Sequence, residues 1–154
     1  MRQKNAACNG RTSLSPCPKN VLDNSNSGTV ANNPVISQIF NSPETFNQQW
    51  QFNLNATTGF YTIGNGVSGG NALFLSYPAA TTPNMLKTFD QASMQLGGQA
   101  LNFIVDCTGS NTAFILDAVF ETALTSWAQE SSTITPVTYE GFDGRPEQVW
   151  TFLD

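Results

Sequence analysis

The chain has 154 residues, enough for one domain with a substantial core, and 40% of them are apolar. Only 11% are charged, the net charge is −5, and the basic residues Arg2, Lys4, Arg11, Lys19, Lys87 and Arg145 are scattered. That excludes the phosphate-neutralising footprint that nucleic acid or an anionic membrane surface requires, and no run is long enough for a membrane-spanning helix.

Asn, Gln, Ser and Thr supply the polarity that the few charges leave. Such side chains both donate and accept hydrogen bonds, which suits a surface meeting hydroxyl-rich molecules; the same composition is common in proteins working outside cells. The opening Met1-Arg2-Gln3-Lys4-Asn5 is basic but has no apolar stretch behind it, so no signal peptide is expected in this chain. The expected location is extracellular, as a mature secreted protein, with an intracellular one as the alternative. Cys8 and Cys17 lie close enough in sequence to bridge, whereas Cys107 has no partner and reads as a small buried apolar residue. The sequon Asn55-Ala56-Thr57 is a glycosylation acceptor if a eukaryote secretes the protein.

Helix signals are weak and short strand signals frequent. In chain order they are a strand near Cys8, then the apolar run ending in Val21-Leu22-Asp23, then Pro34–Phe40 and Trp50-Gln51-Phe52. Next come Phe60-Tyr61-Thr62-Ile63, the run ending in Phe74-Leu75-Ser76, Met85–Phe89, Met94-Gln95-Leu96 and Phe103–Cys107. The run ending in Ile115-Leu116-Asp117, then Pro136–Tyr139 and Val149–Leu153, complete the series. A stretch around Val119–Gln129 is expected to make a short helix or a folded loop. Gly/Asn/Ser/Pro clusters such as Gly64–Asn71 separate the strands.

The apolar-Leu-polar phrase recurs three times, and two copies are followed by a turn and a tryptophan: Asn47-Gln48-Gln49-Trp50 and Glu147-Gln148-Val149-Trp150. Pro34–Phe40 aligns without a gap on Pro136–Phe142. From the Asp to the Trp the first unit spans 27 residues and the third 33, which implies an insertion in the Glu121–Ser132 stretch. In the middle unit the fourth strand is assigned to Met94-Gln95-Leu96 rather than to Leu101-Asn102-Phe103. The expected fold is all-β, three four-strand repeats over residues 1–55, 56–98 and 99–154 with a degenerate, shortened middle repeat, in a single domain.

These repeated phrases resemble the ricin B-chain-like (R-type) lectins, and the resemblance covers nearly the whole chain. It implies a β-trefoil, a six-stranded barrel capped by three hairpins, and a carbohydrate-binding protein for galactose or N-acetylgalactosamine-type glycans. In that family an Asp accepts sugar hydroxyls, Asn or Gln binds from the other side, and a ring stacks on the sugar. Carried across, the first unit supplies Asp23, Asn47 and Gln48, with Phe40 near the place of the ring. The third supplies Asp117 and Gln148, with Glu147 where the Asn belongs and Tyr139 or Phe142 for the ring. The second has Ser76 for the Asp, and no family-type site is expected there. The partners implied are glycans or glycoproteins, and a second site or a homodimer would raise avidity.

Other readings stand beside these. Trp50 and Trp150 open alternating strands and read as core; Gln48 and Gln148 would satisfy turn backbone, and Asp23 would start a turn. No His and no metal-ligand cluster is present in the sequence, so neither an enzyme nor a metal or other cofactor is expected. The rival function is a β-trefoil that binds protein, such as a protease inhibitor, or a secreted interaction protein whose sugar pockets have decayed.

Overall fold

Alternation of side chains builds the strands. In Trp50–Leu54 the rings of Trp50 and Phe52 are buried while Gln51 and Asn53 face solvent, as a half-buried strand requires. The computed structural model describes residues 11–15, 20–67, 72–77, 89–127 and 134–153. Cys8, Cys17 and most of Met85–Phe89 lie outside the described residues, so the expected bridge and most of that strand do too. Thirteen strands lie among the described residues: β1 (Arg11–Ser15), β2 (Asn20–Asn24), β3 (Val35–Ile39), β4 (Trp50–Leu54), β5 (Tyr61–Asn65), β6 (Leu73–Ser76) and β7 (Phe89–Gln91), followed by β8 (Ser93–Leu96), β9 (Phe103–Cys107), β10 (Thr112–Asp117), β11 (Thr122–Ser126), β12 (Ile134–Gly141) and β13 (Val149–Leu153). Single 3-10 turns at Phe46–Gln48, Gly97–Gln99 and Pro146–Gln148 lead toward β4, β9 and β13. No helix among the described residues is long and apolar enough to cross a membrane.

Six strands close a ring, entirely antiparallel: β1 pairs β4, β4 pairs β5, β5 pairs β9, β9 pairs β10, β10 pairs β13, and β13 returns to β1. Three hairpins, β2–β3, β6–β8 and β11–β12, cap it. They meet where β12 pairs with β3 and β7, and where Pro34 bridges Ser93. There Val35 N–H donates to Ala92 O and Ala92 N–H to Val137 O, each at 2.8 Å. This is a β-trefoil: ring and caps share one core, in which Leu22, Leu75, Leu124, Val35, Val137, Trp50 and Trp150 are all fully buried. Full burial of a Leu or Val contributes on the order of 1.5–3 kcal/mol, so a core repeated three times dominates stability.

The hydrogen bonds correct the register of the third unit. Trp50 Nε1 donates to Leu22 O at 2.9 Å, and Trp150 Nε1 donates to Leu124 O at 2.8 Å. Leu124, not Leu116, therefore corresponds to Leu22, and Thr125, not Asp117, to Asp23. The stretch read as an insertion, and as a helix or folded loop, holds the strand β11 itself. The bonded pairs are 28 and 26 residues apart, so no insertion is needed. The middle unit is corrected too. Met94-Gln95-Leu96 lies in β8, the third strand, because it pairs with β6; the fourth is β9, which joins β10 in the ring. With strands from Tyr61 to Cys107, this unit is not shortened. Asn55 of the sequon is exposed in the β4–β5 turn, where its side chain accepts from the N–H groups of Thr57 and Thr58.

Candidate functional site

Asp23 is the next-to-last residue of β2, opposite Ile36 on β3, and the turn Phe46–Gln48 is folded against β2. Asn47 Nδ2 donates to Asp23 Oδ2 at 2.9 Å and Gln48 Nε2 to the same oxygen at 2.8 Å. The three first-unit residues expected together are thus brought together. Asp23 Oδ1 is buried and has no hydrogen-bond donor. Burial pushes the Asp23 carboxyl up from its ordinary value, and the Gln48 and Asn47 amides pull against that shift.

Gln48 has a second task. Its Nε2 also donates to Ile39 O at 3.0 Å, and its Oε1 accepts from Asn41 N–H at 2.8 Å. Phe40 sits between those two held backbone groups, its ring 40% exposed. Asp23 itself carries no exposed surface and Asn47 only 6%. In this arrangement Asp23 is closed to solvent.

The third unit repeats the clamp without the acid. Gln148 Nε2 donates to Gly141 O at 3.0 Å and, at 3.4 Å, to Thr125 Oγ1; its Oε1 accepts from the N–H groups of Asp143 and Gly144. Asp117 is elsewhere, at the end of β10. Val119 N–H donates to its Oδ1 at 2.7 Å and the Tyr77 hydroxyl to its Oδ2 at 3.0 Å, so both oxygens are engaged. Tyr139 is 2% exposed, packs on Tyr77 with ring centroids 4.4 Å apart, and donates its hydroxyl to Ser76 O. Burial, then the neighbouring Tyr77 and Asp117, raise its pKa well above the ordinary tyrosine value. Asp117 and Tyr139 therefore share a buried cluster around Tyr77, while Gln148 faces Thr125. The exposed rings of this unit include Trp127 and Phe142, the latter packed at a steep angle on Phe114.

Beside Thr125 a polar chain runs from the exposed Trp127 through the buried Thr138 and Glu140. Trp127 Nε1 donates to Thr138 Oγ1 at 2.9 Å, and that hydroxyl lies 3.3 Å from Glu140 Oε1. The Arg145 guanidinium is 3.5 Å from Glu140 Oε2, grips Asp143 through Nε and Nη2, and lies 5.9 Å from the Trp127 ring centre. Burial raises the Glu140 pKa against Arg145, whereas the hydrogen bond from Arg145 lowers that of Asp143. Among the described residues no group of three His, Cys, Asp or Glu is placed to hold a metal ion.

Sequence reasoning missed three asparagines and a glutamine. Asn33 Nδ2 donates to Asn24 Oδ1 at 2.6 Å, and Asn24 Nδ2 to Asn65 Oδ1 at 3.0 Å, forming a partly buried line from the Asp23 hairpin to β5. No local phrase marks these, since their partners lie up to 41 residues away. Gln99 is in the middle unit's counterpart of Gln48, but it is exposed, and only its carbonyl is used, by Ser76 Oγ at 2.7 Å.

Ring, caps and repeated clamps define a β-trefoil whose first unit holds a polar site built around the Asp23 carboxylate. Solved structures agree on the fold. A designed three-fold symmetric protein, ThreeFoil, superimposes with a TM-score of 0.71 at 22% identity, over 95% of this chain and 99% of that one. The Rhizoctonia solani agglutinin gives 0.71 at 19% identity over 95% of both chains. The Macrolepiota procera ricin B-like lectin, solved in complex with lactose, gives 0.67 at 20% identity over 96% and 97%. The chain thus has the β-trefoil fold that these solved structures share. No family model matches the sequence, and no curated protein does.

Proposed function

We propose that this protein is a secreted, non-enzymatic lectin that binds galactose or N-acetylgalactosamine-type glycans through its first unit. The observation that carries the reading is the Asp23 carboxylate. Its Oδ2 is held by two amides, Asn47 and Gln48, while Oδ1 has no donor of its own. A buried acceptor left open costs stability, and sugar hydroxyls are donors of the kind that would satisfy it. Phe40 supplies an exposed ring on the segment that Gln48 fixes. Likeness to a lectin solved with lactose supports the sugar class. The third unit, with Thr125 in the acid's place, contributes no site of this design, and its remaining candidates Asp117, Tyr139 and Gln148 act inside the fold. Because Asp23 is covered, weak affinity per site is expected, made useful by multivalent presentation.

The test is a glycan-binding screen with lactose titrations, run on the wild type, Asp23→Asn and Asp117→Asn. Lactose binding that Asp23→Asn abolishes and Asp117→Asn leaves unchanged is the expected result. A folded wild type that binds no galactose-containing glycan sinks the proposal and favours protein recognition.

A further inference from the structure

Asp23, Asn47 and Gln48 all belong to the first unit, but what fixes the turn carrying the two amides comes from the second. Asn65 ends β5, the opening strand of the middle unit, and is 7% exposed. Its Nδ2 donates to Asn47 O at 3.1 Å and to Gln49 O at 3.2 Å, so one carboxamide grips the backbone on both sides of Gln48. Gly66 N–H adds a third bond, to Gln49 O at 2.8 Å. The approach is close enough to demand glycine: a Cβ on Gly66 would lie 2.6 Å from Phe46 O. Asn65 is itself held, since its Oδ1 accepts from Asn24 Nδ2 at 3.0 Å and from Val67 N–H at 3.1 Å. Asn24 is the residue after Asp23 on β2. One side chain therefore ties the strand that carries the acid to the turn that carries its two donors.

We infer that Asn65, with Gly66 behind it, is the positioning residue of the Asp23 site, supplied by the neighbouring unit. The inference rests on reading Asp23 as the sugar acceptor, but its geometry is independent of any sugar. An amide aimed at an acceptor must be held to a few tenths of an ångström; Ile39 O and Asn41 N–H hold the Gln48 carboxamide itself, but the loop backbone that carries both amides needs a constraint of its own. Three donors from Asn65 and Gly66 impose it. The first unit would then be incomplete as a binding site without the strand that follows it.

Asn65→Asp is the decisive variant. It keeps the acceptor for Asn24 and Val67 but replaces the two donors by an oxygen facing the carbonyls of Asn47 and Gln49. Two readouts are taken: lactose affinity by calorimetry, and titration of the Asp23 carboxyl by carbon NMR. Asn53→Asp, on the exposed face of β4, controls for the added charge. The expected result is a folded protein with lactose affinity lowered about tenfold or more, the scale of one well-made hydrogen-bonding group. Its Asp23 would titrate at still higher pH because its two amide donors have withdrawn, and Asn53→Asp would match the wild type in both. If Asn65→Asp does not fold, Gly66→Ala is read in the same two ways, since its methyl group pushes on the same turn. An Asp23 titration and a lactose affinity both unchanged in a folded variant overturn the inference. If the wild type binds no lactose but Asp23 titration moves in the variant, the positioning role stands and the lectin reading falls.

Discussion

Trp50 and Trp150 offer a quantitative test of the corrected register. Each ring has no exposed surface, and each indole N–H reaches the carbonyl of a second-strand leucine, Leu22 or Leu124, also unexposed. Replacing either by Phe leaves the ring's core role but removes the donor. A buried carbonyl stripped of a hydrogen-bond partner costs about 1–3 kcal/mol. The smaller ring leaves a void worth about 1 kcal/mol more. The sum is about 2–4 kcal/mol, and for a chain of this size each kcal/mol moves Tm by about 2–4 °C, so a fall of about 5–15 °C is expected. Trp50→Phe and Trp150→Phe should fall by similar amounts, because the two contacts are equivalent. Thermal unfolding followed by far-UV circular dichroism, backed by urea titration, measures both. Loss below about 1 kcal/mol in one variant alone would refute the equivalence of Leu22 and Leu124, and loss that small in both would refute the worth assigned to the indole bond.

Gln148→Met removes a carboxamide that bonds Gly141 O and the N–H groups of Asp143 and Gly144, and should cost about 2–4 kcal/mol in urea unfolding. Gln99→Met, at the exposed counterpart, should stay within about 0.5 kcal/mol, and equal costs would mean that burial does not set the clamp's worth. The Asp23 carboxyl carries a folded pKa raised above its unfolded value, so the folded state holds that proton more tightly. Its contribution to stability therefore grows as pH falls through the raised pKa toward the ordinary carboxylate value of 3.8, and is lost again above it. The stability gap between wild type and Asp23→Asn should shift in the wild type's favour on acidification, checked by unfolding at several pH values. A gap that moves the other way would show that the two amides outweigh burial.

The fold was legible because its core signals are local: Trp50-Gln51-Phe52 and the gapless match of Pro34–Phe40 to Pro136–Phe142 each lie within one strand and its immediate neighbours. The same is true of Asp23, Asn47 and Gln48, whose turn chemistry is read from adjacent letters. Asp117 misled because Ile115-Leu116-Asp117 copies the phrase of the first unit more faithfully than Ala123-Leu124-Thr125 does. Identity there competes with spacing, and the indole bonds show that spacing governs. β8 and β9 were exchanged because strand order in a ring depends on pairing across units, which no single segment records. Asn65 was invisible for the same reason. Its donors act on a turn that precedes it by 16–18 residues, across a unit boundary.

The ring is closed by its last strand. β13 makes two of the six pairings, one with β10 and one with β1, so until Val149–Leu153 is in place both of those strands keep a bare edge. During synthesis the barrel can therefore shut only once β13 has left the ribosome, and the pairing that shuts it, with Leu14 opposite Phe152, joins the first and last strands of the ring. The nascent protein passes through a long interval with two unpaired strand edges, when chaperone capture or pairing with another chain competes with its own completion.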